Sequence, residues 1–187
     1  MTCIIGLVHN GHTYVGADSA SVDCERLVTR ATKVPKVFRR GPFVMGYTTS
    51  FRMGQLLEHW LDVPGESEGM SGQEYMVKEF TETVRSLFKD KGFATIENNN
   101  EAGGRFLIGY GDHLYTMHED FQIAEMVDEF DAVGCGSHFA LGAVKALSNY
   151  NDPVERITKS LEIASYFSGG VCPPFNVLST KREDNEK

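Results

Sequence analysis

Basic charge is scarce in this sequence. Eighteen lysines and arginines face 26 aspartates and glutamates, a formal net charge of −8. No whole-chain basic field exists for nucleic acid, and a run such as Arg39-Arg40 reads as a solvated strand end. Cysteine is equally sparse. Cys3, Cys24, Cys135 and Cys172 form no CxxC pair, so neither a zinc site nor a redox motif is implied. The six histidines show no i, i+4 ligand pair, and no metal or other cofactor is expected. Long apolar runs are missing too. The opening Met1 to Val8 has no basic lead and stops at His9-Asn10-Gly11, unlike a secretory signal, and nothing approaches membrane-spanning length. The reading is a cytoplasmic chain with reduced thiols. Nor is there a Gly-Lys-Ser/Thr phosphate loop. Gly134-Cys135-Gly136 lacks a surrounding βαβ unit, so close packing at a turn is its ordinary meaning.

What is present is a chain of 187 residues, enough for one domain with a sizeable core. Residues 1–180 read as that domain and 181–187 as a charged tail. Thr2 to Val8 and Thr13 to Ala17 flank an Asn-Gly turn, the mark of a hairpin. A polar loop is expected from Asp18 to about Thr32. Lys36–Arg40 and Phe43–Tyr47 flank a Gly41-Pro42 turn, a second hairpin. Ser50 to Leu61 carries Phe51, Leu56, Leu57 and Trp60 at helical spacing. Ser71 with Glu74 makes a capping box before a helix whose apolar face is Val77, Phe80, Val84, Leu87 and Phe88. Asp90 to Gly104 reads as a surface loop. Strands are expected at 105–110, 113–117, 121–124 and 132–134, helices at 137–147 and 153–167, and a last strand at 174–178. Asp152 and Pro153 supply a cap and a first turn. Strands and helices in blocks imply antiparallel sheets with segregated helix layers, an α+β chain.

The candidate nucleophile is Thr2. Methionine aminopeptidases remove Met1 when the next residue is small. The freed α-amine, with an ordinary pKa of roughly 7.7–8.0, can act as general base for the hydroxyl of the same residue. β-Branching restricts χ1 and helps aim that hydroxyl. Taken alone, Thr2 is also an ordinary strand start, Asp18 a turn former, and Lys33 or Lys36 a strand end. Cys135 with His138, three apart at a helix start, is a thiol alternative, although a small buried cysteine is the usual case.

Thr2-Cys3-Ile4-Ile5-Gly6-Leu7, Asn10-Gly11-His12 and Gly16-Ala17-Asp18-Ser19 resemble the opening of the proteasome β-type subunits and of the related peptidase HslV. The resemblance continues at Lys36 to Gly46, at Ala132 to Ala140, and at Tyr166-Phe167-Ser168-Gly169-Gly170-Val171. It implies a four-layer αββα sandwich of two antiparallel sheets flanked by helices. It implies a threonine-type N-terminal nucleophile (Ntn) hydrolase cleaving peptide bonds through an acyl-enzyme ester. Thr2 takes the place of the nucleophile, and Asp18 and Lys36 those of its charged partners, with Lys33 as the alternative lysine. Ser168 accompanies the amine, and the Ser50 N–H stands where the family's oxyanion donor lies. Three positions depart from the family pattern. Cys135 replaces a serine in the turn that Ser137 follows, Ser165 replaces an aspartate, and Ser50 replaces a glycine. The resemblance further implies rings of identical subunits, an ATP-dependent unfoldase as partner, and unfolded polypeptide as substrate. Two other roles suit the same fold: a catalytically silent ring or scaffold subunit, and an Ntn amidase acting on a small amide.

Overall fold

In the first hairpin, β1 (Cys3–His9) and β2 (His12–Ala17) pair antiparallel from Ile4↔Ala17 to His9↔His12. The Asn10-Gly11 turn has φ of 50° and 75°, the left-handed pair that matches strand twist in a two-residue hairpin. The structure is a computed structural model that describes residues 1–23, 25–26, 28–66 and 69–181. The expected tail beyond Lys181 and the cysteine at position 24 lie outside the described residues.

Along β1 the side chains divide with period two. Ile4 joins a cluster with Val15, Val37, Val44, Leu107 and Leu114. Cys3, Ile5 and Leu7 join another with Ala140, Val144, Ile157, Leu161 and Ala164. A strand apolar on both sides is buried on both sides. One sheet runs in the order β12 (Phe130–Gly134), β1, β2, β13 (Asn176–Ser179). Helices α4 (Ser137–Ala146) and α5 (Pro153–Phe167) cover its outer face through the second cluster. The other sheet runs β11 (Ile123–Glu125), β10 (His113–Met117), β9 (Phe106–Tyr110), β6 (Phe43–Tyr47), β5 (Val37–Arg40). Its outer face buries Phe43, Met45, Phe106, Ile108 and Met117 against Met53, Leu56, Phe80, Val84 and Phe88. Each such buried side chain stabilises by about 1.5–3 kcal/mol relative to exposure. The Ile4 cluster lies where the two sheets meet. At that contact a Cβ on Gly46 would stand 2.5 Å from the Ile4 side chain, so the close approach requires glycine there.

The structure corrects four expectations. The stretch expected as a loop from Asp18 holds the hairpin β3 (Ala20–Asp23) and β4 (Val28–Ala31). Every residue of β4 is exposed, so no alternation of apolar residues could announce it. The stretch from Asp90 to Gly104 likewise holds β7 (Thr95–Glu97) and β8 (Asn100–Ala102) around an Asn98-Asn99 turn with positive φ. Helix α1 (Phe51–His59) stops short of Leu61, and Trp60 is half exposed. Between α2 (Gly72–Tyr75) and α3 (Thr81–Asp90) lies a π-helical segment, Met76–Phe80. The extra residue in that turn sets Met76, Phe80, Val84 and Phe88 inward and leaves the expected Val77 exposed. No described helix is long and apolar enough to cross a membrane.

Candidate active site

Four chain segments converge where β1 begins. The Ile4↔Ala17 register of the first hairpin sets Asp18 level with the residues preceding Ile4. Asp18 N–H donates to the Cys3 carbonyl at 3.2 Å, and Cys3 N–H donates to Asp18 Oδ1 at 2.8 Å. From the other sheet, Lys36 immediately precedes β5, and its carbonyl accepts from Tyr47 N–H at 3.0 Å. The Cys3↔Gly134 pairing ends β12 beside Thr2. Finally, α5 ends at Ser168.

Lys36 and Asp18 are buried, at 1% and 0% exposure. Lys36 Nζ donates to Asp18 Oδ1 and Oδ2 at 3.0 and 3.1 Å, and to Thr2 Oγ1 at 3.0 Å. Asp18 also accepts from Ala20 N–H at 2.7 Å and Cys172 N–H at 3.4 Å. A buried carboxylate with this many donors is compensated without water. Burial holds the Lys36 ammonium below the ordinary lysine value, while Asp18 pulls it back upward. Thr2 Oγ1 donates to the Met1 carbonyl, which also lies 3.5 Å from Lys36 Nζ.

On its other side Thr2 meets the turn after β12. Thr2 N–H donates to Cys135 Sγ at 3.3 Å, and that thiol lies 3.5 Å from Ser168 Oγ. Gly136 N–H donates to the Thr2 carbonyl at 3.3 Å. Gly134 has φ of 99°, and a Cβ there would lie 2.2 Å from the Thr2 carbonyl oxygen, so the turn can hold Thr2 this closely only with glycine. Cys3 is no rival nucleophile. Burial first and Asp18 second push its thiol up to about 12, which keeps it protonated.

Of the residues singled out in the sequence, Thr2, Asp18, Lys36, Cys135 and Ser168 come together. Lys33 does not: it is exposed in the segment before β5. Ser137 opens α4 without a side-chain cap bond. Ser165 Oγ donates to Glu162 O within its own helix at 2.8 Å. His138 is exposed. Ser50 caps α1, its Oγ accepting from Arg52 N–H at 3.1 Å, and its own N–H is taken by the Thr48 carbonyl at 2.7 Å. The intervening Thr49 has φ of 69°, a γ-turn on a β-branched residue.

Sequence reasoning missed two parts of the site. The backbone N–H groups of Ala20 and Cys172 that hold Asp18 carry no side-chain signal. A recess of about 130 Å³ beside Thr2, walled in part by Ala20, Val22, Tyr47 and Thr49, draws on four separate segments. Among the described residues no group of three or more His, Cys, Asp or Glu is placed to hold a metal ion.

No protein-family model and no curated protein matches the sequence. Solved structures do match the fold. BPH from Thiobacillus denitrificans, in complex with epoxomicin, superposes with a TM-score of 0.78 at 17% identity, covering 95% of this chain and 97% of that one. Eukaryotic HslV from Trypanosoma brucei gives 0.67 at 17% identity, over 95% and 98%. Anbu (ancestral beta-subunit) from Yersinia bercovieri gives 0.66 at 12% identity, over 95% and 81%. At these identities the likeness is one of fold, and the fold of this chain is that of the proteasome-like Ntn hydrolases.

Proposed function

We propose that the chain is a threonine-type Ntn hydrolase that cleaves peptide bonds with Thr2 once Met1 is removed. The observation that carries this reading is the 3.0 Å contact of Lys36 Nζ with Thr2 Oγ1, made by a buried ammonium that Asp18 also holds. A cation so placed stabilises the alkoxide that forms when the hydroxyl loses its proton. The Thr2 nitrogen, an amide while Met1 is attached, becomes the amine that takes that proton. The hydroxyl oxygen then attacks the substrate carbonyl, the leaving amine departs protonated, and water hydrolyses the ester.

The same reading takes the three clusters and two sheets as an αββα sandwich of the ring-forming kind. Its assembly is a closed ring of identical subunits in the cytoplasm, fed with unfolded polypeptide by an ATP-dependent unfoldase. One observation favours the silent-subunit reading instead: the Ser50 N–H, the expected oxyanion donor, is already bonded to Thr48. Turnover therefore requires the Thr48–Ser50 turn to release it.

Two measurements test the proposal. Intact mass of the active protein should show loss of one methionine. Epoxomicin, the ligand of the T. denitrificans neighbour, should add to Thr2 and to no other residue on peptide mapping. Full peptidase activity with Met1 retained, or a Met1-free ring that leaves Thr2 unlabelled after long incubation, would overturn it.

A further inference from the structure

We infer that a groove between α3 and the β7–β8 hairpin receives residues 30–35 of a second copy of this chain, a head-to-tail contact. The inference rests on the assembly of identical subunits proposed above and on no catalytic step. The groove holds about 800 Å³, and its walls lie outside every motif that carries the family resemblance. Its apolar surface includes Val77 and Phe121. Val77 is 48% exposed because the π-helical turn sets Met76 and Phe80 inward instead, and such turns are frequent at functional sites. Val77 also walls an adjoining hollow of about 270 Å³ beside Gln73 and Lys78. The depression therefore continues along the helix face, a shape that suits a length of chain better than an enclosed small molecule.

Charge decides which length of chain. Arg85 bonds Glu82 at 2.9 Å and also Glu101. Glu119 and Asp120 are exposed at the groove and have no ion-pair partner among the described residues. The groove thus offers an apolar surface beside uncompensated negative charge. Residues 30–35 carry the complement. Arg30 and Lys33 are exposed and likewise have no ion-pair partner among the described residues, and Val34 beside them is 45% exposed. Val34 N–H donates to Thr32 Oγ1 at 3.1 Å, and Pro35 follows. That segment is ordered before it docks, which lowers the entropy cost of binding. Exposed Val127 and Val154 stand beside Asp128 and Glu155, which the groove would repel. Two further surfaces gain cover. β3–β4 and β7–β8 are two-stranded sheets with no third strand among the described residues, and such pairs are marginal in water. Groove and segment are different patches of one subunit, so the contact is heterologous and repeats from copy to copy until it closes.

The test is charge reversal, read by sedimentation equilibrium of the purified protein at micromolar concentration. Neutralising Lys33 alone leaves Arg30 and Val34 to hold the contact, so both cations are reversed together. Arg30→Glu with Lys33→Glu, and separately Glu119→Lys with Asp120→Lys, should each weaken association by about a hundredfold or more, because like charges then face each other. Val34→Ser should weaken it by about tenfold. A chain carrying all four reversals should associate within about tenfold of the parent. All four positions are exposed, and circular dichroism checks that each variant is folded. A parent that assembles while the reversed variants assemble equally well rejects this inference alone, and so does a folded fourfold variant that stays apart. A parent that remains a monomer rejects the assembly reading and this inference with it. Epoxomicin labelling of Thr2 reports on the peptidase reading separately.

Discussion

Replacing Asp18 by Asn removes the only carboxylate among the described residues in contact with a lysine that is 1% exposed. Both oxygens of Asp18 accept: Oδ1 from Cys3 N–H and Lys36, Oδ2 from Ala20 N–H and Lys36. An asparagine must turn its NH2 toward one of those donors, losing at least one bond. Lys36 is then left as a buried cation beside a neutral amide. Breaking a buried pair from one side costs about 3–5 kcal/mol, which for a chain of this size lowers Tm by roughly 10 °C. The pH dependence follows from the direction of the Lys36 shift. Burial already depresses its folded pKa, and Asp18 is what opposes that, so the variant's value falls further. Between the folded value and the unfolded one near 10.4, the unfolded chain binds more protons, and stability rises with pH. Asp18→Asn should therefore lose most at neutral pH and recover part of the loss as pH rises toward 10, more steeply than the parent. Urea titrations followed by circular dichroism at pH 7 and 9.5 measure this. Equal stability of variant and parent at pH 7, or a gap that widens at pH 9.5, refutes the reasoning.

Four further outcomes are expected. Lys36→Ala should lower kcat by about a hundredfold, on the scale of a lost electrostatic stabiliser, while Lys33→Ala leaves peptide turnover unchanged, since Lys33 is exposed. Gly134→Ala forces a Cβ against the Thr2 carbonyl; Tm should fall and epoxomicin labelling of Thr2 should disappear. Thr49→Gly relieves a positive φ on a β-branched residue. That conformation costs about 1–3 kcal/mol, partly offset by about 0.5–1 kcal/mol from glycine's freer unfolded state, so the midpoint in urea should stay level or rise. Cys135→Ser should keep turnover and make it insensitive to methyl methanethiosulfonate, whereas the parent, with its exposed thiol beside Thr2, should be blocked and then restored by dithiothreitol.

The amino-acid sequence made legible the parts of the fold that bury a face. β1 could be read because Cys3, Ile4, Ile5 and Leu7 are all core residues, and α5 because Asp152 caps it and Pro153 opens it. Hairpins β3–β4 and β7–β8 escaped because their strands are largely exposed and are held by backbone bonds, which any residue can make. The π-helical turn escaped because one inserted residue shifts the inward face without altering composition. At the site, the choice between Lys33 and Lys36 was open in sequence, since both stand near a strand start. The structure separates them because only Lys36 directly precedes β5, where its carbonyl is tied to Tyr47. The state of the Ser50 N–H could not be read at all, because a backbone donor's partner depends on the local turn, here the left-handed φ of Thr49, which side-chain identity did not announce.

The Lys36–Asp18 pair also bears on whether the site exists for catalysis or for the fold. A buried ion pair is weak evidence of stabilisation, because apolar residues of similar volume often serve as well. Asp18 does have a structural task, since it gathers N–H groups from Cys3, Ala20 and Cys172. An apolar residue could not replace it there. Lys36 has no comparable duty: its ammonium reaches Asp18, Thr2 Oγ1 and, more distantly, the Met1 carbonyl. A neutral donor could satisfy Asp18 at lower desolvation cost. The positive charge gains a purpose when Thr2 Oγ1 becomes negative, which happens in nucleophilic attack and in no scaffold role. The comparison to make is therefore Lys36→Met against Asp18→Asn. If Lys36 serves the chemistry, Lys36→Met should remove activity with a smaller loss of Tm than Asp18→Asn. A Tm loss for Lys36→Met as large as that for Asp18→Asn, with Thr2 still labelled at the parent rate, would assign the pair to the fold.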